Sequence, residues 1–345
     1  MNKKHYIIPI FISHIGCPHQ CVFCNQDKIA KEVSKEVTAK DVIDTVDEYL
    51  KTIDYKNATV EISFFGGTFT AIDVNKQKEL LSVARDYKER KFISKIRMST
   101  RPDAINNYIL SYLKDYKVDI IELGVQSLNE EVLRLAGRGH TVKDVEVASK
   151  LIKEYGFTLG HQIMPGLPGD NFNIDIETVK KSIEMNPDIC RIYPSLVIKD
   201  TPMEKMYERG EYIPYSLEEA VNISKELYRM YKKANVKIIR VGLQPTENIT
   251  WGKDLVDGPF HPAFRELVEG SLICDEIKKS INEDEDILIE INSKDLSKLY
   301  TNKKKYFNEL KENHRGKILV KTNDKIKRGK VNIVIIKRIE EVNIG

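Results

Sequence analysis

The stretch Ile10-Phe11-Ile12-Ser13-His14-Ile15-Gly16-Cys17-Pro18-His19-Gln20-Cys21-Val22-Phe23-Cys24-Asn25 decides how the rest of the chain is read. Its first residues end a short apolar run, Ile7-Ile8-Pro9-Ile10-Phe11-Ile12, that reads as a buried strand. Three cysteines follow directly, spaced C-x3-C-x2-C. A loop of that length can wrap three thiolates around one metal group. A 4Fe–4S cluster normally takes four thiolates, one per iron. Three leave one iron open, able to chelate a ligand rather than only pass electrons. A structural zinc site completed by His14 or His19 is the competing reading. Cys190 and Cys274 lie far away and read as small buried hydrophobes. Five cysteines with three crowded together make a poor disulfide framework and point to metal or redox chemistry.

The chain has 345 residues, 41% hydrophobic and 31% charged. That supports a real core and excludes a wholly disordered chain. No apolar run approaches the roughly 20 residues needed to span a bilayer. The N-terminal apolar run imitates a signal peptide, but it is short and no small-residue cleavage site follows it. A cytoplasmic protein is expected. The net charge of +3 hides an asymmetry: from Lys294 to Gly345, 15 Lys and Arg stand against 6 Asp and Glu. Two readings stand, a solvated surface on a small lobe or a contact for a polyanion such as RNA.

Strand-like runs alternate with amphipathic segments. Strands are predicted at Tyr6–Ile12, Thr59–Phe65, Ile93–Ser99, Val118–Val125, Thr158–Met164, Ile189–Ser195 and Val236–Val241. Helices are predicted at Ala39–Ile53, Asn75–Lys91, Asp103–Tyr116, Lys143–Tyr155, Ile174–Met185 and Leu217–Lys233. Thr38, Thr141 and Ser216 are candidate caps. The rhythm argues for an α/β fold with a parallel sheet, helices outside, and a complete or partial barrel. Chemistry in such folds sits at the C-terminal ends of the strands. The division expected is 1–270 for the main domain and 271–345 for a small basic α/β lobe. In the lobe the order strand, helix, loop, helix, strand, strand resembles a KH domain, whose glycine loop clamps a nucleic-acid backbone. Here the loop carries Lys303-Lys304-Lys305 and no glycine. A small α/β cap is the plain alternative.

The cysteine spacing, with Phe23 just before the last cysteine, resembles the radical S-adenosylmethionine (SAM) superfamily. Ordered phrases at strand ends carry the resemblance: Phe65-Gly66-Gly67-Thr68-Phe69-Thr70, Ser99-Thr100-Arg101-Pro102-Asp103, Glu122-Leu123-Gly124-Val125-Gln126-Ser127, Gly137-Arg138-Gly139-His140 and Met164-Pro165-Gly166-Leu167-Pro168-Gly169. Within the superfamily they are most similar to the catalytic subunit of Elongator and its bacterial relatives, over about residues 5–270. More distantly they resemble oxygen-independent coproporphyrinogen oxidase. Two departures matter. The Elongator enzyme has a longer gap between its first two cysteines. It also carries a C-terminal acetyltransferase domain for which this chain has no room, so its carboxymethyl chemistry on wobble uridine is not carried over.

The resemblance implies a partial (β/α)6 TIM-type barrel. It implies a 4Fe–4S cluster on Cys17, Cys21 and Cys24, fed by reduced flavodoxin or ferredoxin. Reductive cleavage of SAM would give a 5′-deoxyadenosyl radical for hydrogen abstraction. Gly66, Gly67 and Thr68 would receive the amino group of SAM, glycines allowing close backbone approach. Arg101 or Arg138 would pair with its carboxylate, and Ser99 would line the same site. Gln126 would reach the ribose, with Phe23 and Met164 flanking the adenine. Bland alternatives stand beside these: Arg138 as a helix C-terminal cation, Met164 as core, Thr100 as the residue before a turn. Substrate contacts are expected from His161, Arg191, Tyr193, Arg240, Gln244, His261 and Arg265. Three functions compete. They are a radical SAM enzyme on tRNA, gripping RNA through Lys303, Lys304 and Lys305, one on a small metabolite or tetrapyrrole, and a non-catalytic iron–sulfur or zinc protein.

Overall fold

The computed structural model describes residues 4–12, 17, 19–25 and 36–336. His14, the alternative zinc ligand, lies outside them. The described chain divides into two compact units, 1–262 and 263–345. The boundary falls eight residues before the expected one, because helix Phe264–Lys279 belongs wholly to the second unit.

The first unit is a strand–helix alternation. Its strands are β1 (Lys4–Ile12), β2 (Ala58–Gly66), β3 (Lys95–Thr100), β4 (Ile120–Gln126), β5 (Thr158–Ile163), β6 (Ile189–Ile192), β7 (Val197–Ile198), β8 (Lys237–Val241) and β9 (Leu255–Asp257). Its helices are α1 (Ala39–Leu50), α2 (Val74–Glu89), α3 (Asn107–Asp115), α4 (Glu130–Leu135), α5 (Val142–Glu154), α6 (Phe172–Glu184), α7 (Pro202–Glu208) and α8 (Leu217–Lys233). Seven strands form one parallel sheet in the order β1-β2-β3-β4-β5-β6-β8. These are the seven strands predicted from the alternation, one more than the (β/α)6 count that the resemblance implies. Sequential order with right-handed crossovers puts the helices on one face and curls the sheet into a partial barrel. β1 and β8 are its two edges, and they do not pair with each other.

Period-two alternation assigns the faces. Ile8, Ile10, Val60, Ile62, Phe64, Ile96, Met98, Ile121, Leu123 and Leu159 are buried in one cluster with Val42, Val46, Leu80, Leu81, Leu110, Leu113, Val145 and Ile152 from the helices. Each fully buried aliphatic side chain contributes about 1.5–3 kcal/mol. Thr38, Thr141 and Ser216 cap α1, α5 and α8 in reciprocal capping boxes with Asp41, Asp144 and Glu219.

The other, concave face carries Glu61, Ser63, Phe65, Arg97, Ser99, Glu122, Gly124, Gln162 and Arg191. Their registers link strand to strand: Ser63 with Arg97, Ser99 with Glu122, Gly124 with Gln162, Gln162 with Arg191. A barrel interior built for packing is filled by branched aliphatic residues. This one holds a buried ion network instead. Arg97 bridges Glu61 and Glu122, and Arg191 donates to Glu122 at 2.6 and 3.2 Å and to the Tyr193 hydroxyl at 2.9 Å. Gly160 makes room for it, since a Cβ there would lie 2.7 Å from the Glu122 side chain.

The second unit comprises α9 (Phe264–Lys279), β10 (Ile287–Ile291), α10 (Leu296–Leu299), α11 (Lys305–Glu312), β11 (Ile318–Thr322) and β12 (Val331–Ile335). β10 lies between β11 (parallel) and β12 (antiparallel). Between α10 and α11, Asn302, Lys303 and Lys304 all hold positive φ, at 51°, 52° and 68°. No helix among the described residues is long and apolar enough to cross a membrane.

Candidate functional site

A cleft opens where the strands end. Its lining comes from six segments: Cys17, Cys21, Phe23 and Cys24 after β1; Gly66, Gly67 and Thr68 at the end of β2; Ser99, Thr100 and Arg101 at the end of β3; Glu122, Gly124 and Gln126 on β4; Arg138 after α4; and Gln162 on β5. Gly66 has φ +102°, and a Cβ there would meet the Ile12 carbonyl at 2.5 Å. Gly67 N–H donates to the same carbonyl at 3.1 Å. The strand end of β2 is thereby pinned against the root of the cysteine loop, and only glycine fits.

The Gly137-Arg138-Gly139-His140 phrase is the platform on which the cysteine loop rests. Val22 N–H donates to the Ala136 carbonyl at 3.0 Å, and Met203 N–H donates to the Val22 carbonyl at 2.9 Å. Gly139 has φ +72°, and a Cβ there would lie 2.3 Å from the His19 ring. The helix that leads into the platform, α4, is six residues long and was hidden between motif phrases in the sequence.

The thiols have built partners. Arg138 Nη1 donates to Cys21 Sγ at 3.3 Å, and its Nη2 donates to the Gly124 carbonyl at 2.5 Å. That is an inward strand contact and not a helix cap. Thr68 Oγ1 lies 3.7 Å from Cys17 Sγ. Arg101 is held by Asp103 through two bonds of 2.9 Å and also donates to the Arg138 carbonyl. Burial opposes its charge, but Asp103 and the nearby Cys17 and Cys21 outweigh that and raise its pKa. Arg101 Nη1 and Arg138 Nε are buried and find no partner among the described residues. Two guanidiniums with spare donors beside three thiols suit an anionic group, whether thiolate-bound metal or a carboxylate. His140, pushed down to about 3 by burial and then by Arg138 and Arg101, is neutral at pH 7 and adds no charge.

Gln126 lies at a β-bulge, where the β4–β5 register slips between Gly124 and Gln126, and its φ is +67°. Bulges re-aim side chains next to sites. Here Gln126 turns into the cleft, 3.4 Å from Gln162. Gln162 and Glu122 were missed by the sequence reading, although Glu122 opens one of the phrases that carried the resemblance and Gln162 stands two residues before another.

Other expectations are corrected. His161 is on the helix side of β5, between Ser149 at 3.0 Å and Ser182 at 2.8 Å, and burial drives it down to about 3. It is a neutral core histidine. Met164 packs behind Phe23 with Val22, Val132, Ala136 and Leu167, and does not line the cleft. Arg240, in register with Arg191, donates to Gln244 at 2.8 Å and does not line the cofactor cleft. His261 is half-buried just before the unit boundary, and Arg265 lies on α9 of the second unit, 2.8 Å from Glu269. Tyr193 and Arg191 do lie on the concave face, tied to Glu122.

The loop after β5 rests on a carboxyl pair. Gly166 N–H donates to Asp170 at 3.3 Å, and the Tyr215 hydroxyl donates to Asp175 at 2.9 Å. Burial, and then the Asp170 charge, push Asp175 up to about 9.

Comparison with known proteins decides the family. The model of the radical SAM superfamily matches residues 11–181, and that of the radical SAM C-terminal domain matches 187–273. The chain belongs to the radical SAM superfamily. It is similar to a tRNA uridine(34) acetyltransferase of Methanocaldococcus infernus, 29% identical over 63% of this chain and 48% of that protein. It is also similar to an uncharacterized protein of Methanocaldococcus jannaschii, 33% identical over 61% of this chain and 67% of that one. Human Elongator complex protein 3 is 32% identical over 51% of this chain and 36% of its own length. The fold matches the archaeal Elongator protein 3 of M. infernus with its N-terminus deleted, at TM-score 0.62 and 23% identity, over 82% of this chain and 65% of that one. This radical SAM chain spans about half the length of the archaeal acetyltransferases it matches. Membership implies a 4Fe–4S cluster and SAM, and the donors of the cleft fit both.

Proposed function

We propose that this chain is a cytoplasmic radical SAM enzyme that modifies a nucleoside in tRNA. One observation carries the enzymatic part: three thiols, a glycine pair and two guanidiniums with spare buried donors line one cleft at the strand ends. The tRNA part is supported by the similarity to the tRNA uridine(34) acetyltransferases and by the basic second unit.

Cys17, Cys21 and Cys24 would hold the cluster, with Arg138 on Cys21. When bound, cluster and SAM supply a 5′-deoxyadenosyl radical that removes a hydrogen atom from the substrate, the electron coming from reduced flavodoxin or ferredoxin. The chain's own residues position and shield. Gly66, Gly67 and Thr68 present backbone to the amino group of SAM. Arg101, clamped by Asp103, would offer its buried Nη1 to the carboxylate. Gln126 would reach the ribose, and Ser99 and Phe23 would close the walls. Lys303 and Lys304 are exposed on the left-handed turn of the second unit, Lys304 with its ammonium 4.8 Å from the Tyr300 ring. With Lys305 they would meet phosphate.

The test is anaerobic reconstitution followed by SAM and dithionite, with and without bulk tRNA, reading 5′-deoxyadenosine. A yield that rises with tRNA supports the proposal. A yield indifferent to tRNA removes the RNA half. No product from a chain carrying about four irons removes the enzymatic half.

A further inference from the structure

Beside the cleft, on the concave face, the cofactor residues leave an aromatic pair unused. Phe11 and Phe65 are register partners on β1 and β2, with ring centroids 6.4 Å apart and planes tilted by 43°. Phe65 directly precedes Gly66, so the rings adjoin the cofactor cleft. Phe11 is 46% exposed although it lies on the inner face of the sheet. Leaving that ring half in water forgoes part of the stabilisation that burial would bring. From the other side of the concavity Arg191 brings its guanidinium to 5.5 Å from the Phe65 ring. Glu122 and Tyr193 fix it there, and Glu122 and Gln162 line the cleft.

The charges say what kind of group fits. Glu61 and Glu122 are matched by Arg97 and Arg191 in one buried network. The buried network itself therefore carries no excess charge, and Arg240 stands beside Arg191 in register. The seat offers ring faces with hydrogen-bonding side chains at their edge. We infer that Phe11 and Phe65 seat a nucleobase flipped out of the RNA substrate, with Tyr193 and Gln162 reading its edge. The inference rests on the tRNA reading above. An enzyme acting on a base must take it out of the stack, and unstacked bases settle on aromatic side chains. Such stacking is worth about 1–3 kcal/mol per base, or roughly 5–150-fold in affinity.

The test uses the reconstituted full chain with SAM and a tRNA transcript carrying 4-thiouridine at position 34, irradiated, digested and mapped by mass spectrometry. Cross-links are expected in the peptides holding Phe11, Phe65 or Tyr193, with at least a tenfold loss of that cross-link in Phe11→Ala. Phe65→Leu, which keeps most of the volume, is the second variant and should weaken tRNA binding several-fold. Saturable tRNA binding with cross-links confined to other peptides would overturn the inference and leave the tRNA reading standing. So would a rise in the SAM dissociation constant that tracks the loss, because the rings would then belong to SAM. Absence of any saturable tRNA binding would overturn the tRNA reading itself, and this inference with it.

Discussion

At Gln126 the backbone and the cleft make opposite demands. A non-glycine residue at φ +67° carries about 1–2 kcal/mol of local cost. Glycine would remove it while giving back about 0.5–1 kcal/mol in chain entropy. Gln126→Gly is therefore expected to leave the melting temperature unchanged or raise it by about 2 °C, while SAM binding weakens about tenfold. A clear fall in melting temperature, with binding intact, would show that the conformation serves the fold. Glu122 makes the reverse case. It receives both Arg97 and Arg191, and neutralising one member of a buried network strands its partners at about 3–5 kcal/mol. Glu122→Gln is expected to lower the denaturation midpoint strongly; a near-wild-type midpoint would contradict the buried network. The cysteine, glycine and arginine phrases were legible in the sequence, and the structure brings them to one cleft. His161 was not. In Leu159-Gly160-His161-Gln162-Ile163 either parity could face inward, and the choice depends on what packs from outside. Ser149 and Ser182, 12 and 21 residues away in sequence, settle it.

Two loops decide whether the cleft holds its shape. The platform after α4 accepts the cysteine loop because Gly139 has no side chain. Gly139→Ala puts a methyl into the His19 ring at 2.3 Å, in a backbone region that alanine also resists. The expected outcome is a folded chain that reconstitutes with well under half the iron of the parent; full iron content would mean that the platform does not position the thiols. The loop after β5 depends on the carboxyl pair. Asp175 is raised above its unfolded value near 3.9, so the folded state holds a proton that the unfolded state releases. Stability is then fullest below that unfolded value and is lost as pH rises toward about 9. Asp175→Asn keeps a neutral partner for Asp170 and should flatten that decline in urea midpoints between pH 5 and 9. An unchanged slope would remove the shared proton. Long amphipathic helices and their caps were legible because Thr38, Thr141 and Ser216 each precede a 3.6-residue pattern. The elements that were missed, α4, α7, β7 and β9, are two to seven residues long, too short to show a period. α9 was missed because its apolar residues lie in the stretch read as the junction between domains.

At the scale of the molecule, a parallel sheet unit is joined to a small lobe whose positive charge is concentrated after residue 294. If that charge grips RNA, replacing Lys303, Lys304 and Lys305 by Glu should weaken tRNA binding at least tenfold and lower the slope of log affinity against log salt by about two to three. An unchanged slope would return the lysines to ordinary solvated surface. The strand order could be anticipated from the alternation, but closure could not, since no residue pattern states whether the last strand meets the first. Here it does not: the sheet ends at β1 on one side and β8 on the other. A closed barrel admits ligands only along its axis, through a mouth as wide as its loops allow. A sheet with a seam is not held to that route by its own hydrogen bonds. A polymer can then lay one nucleotide into the concavity while the chain on either side of it stays outside, with no free end to thread.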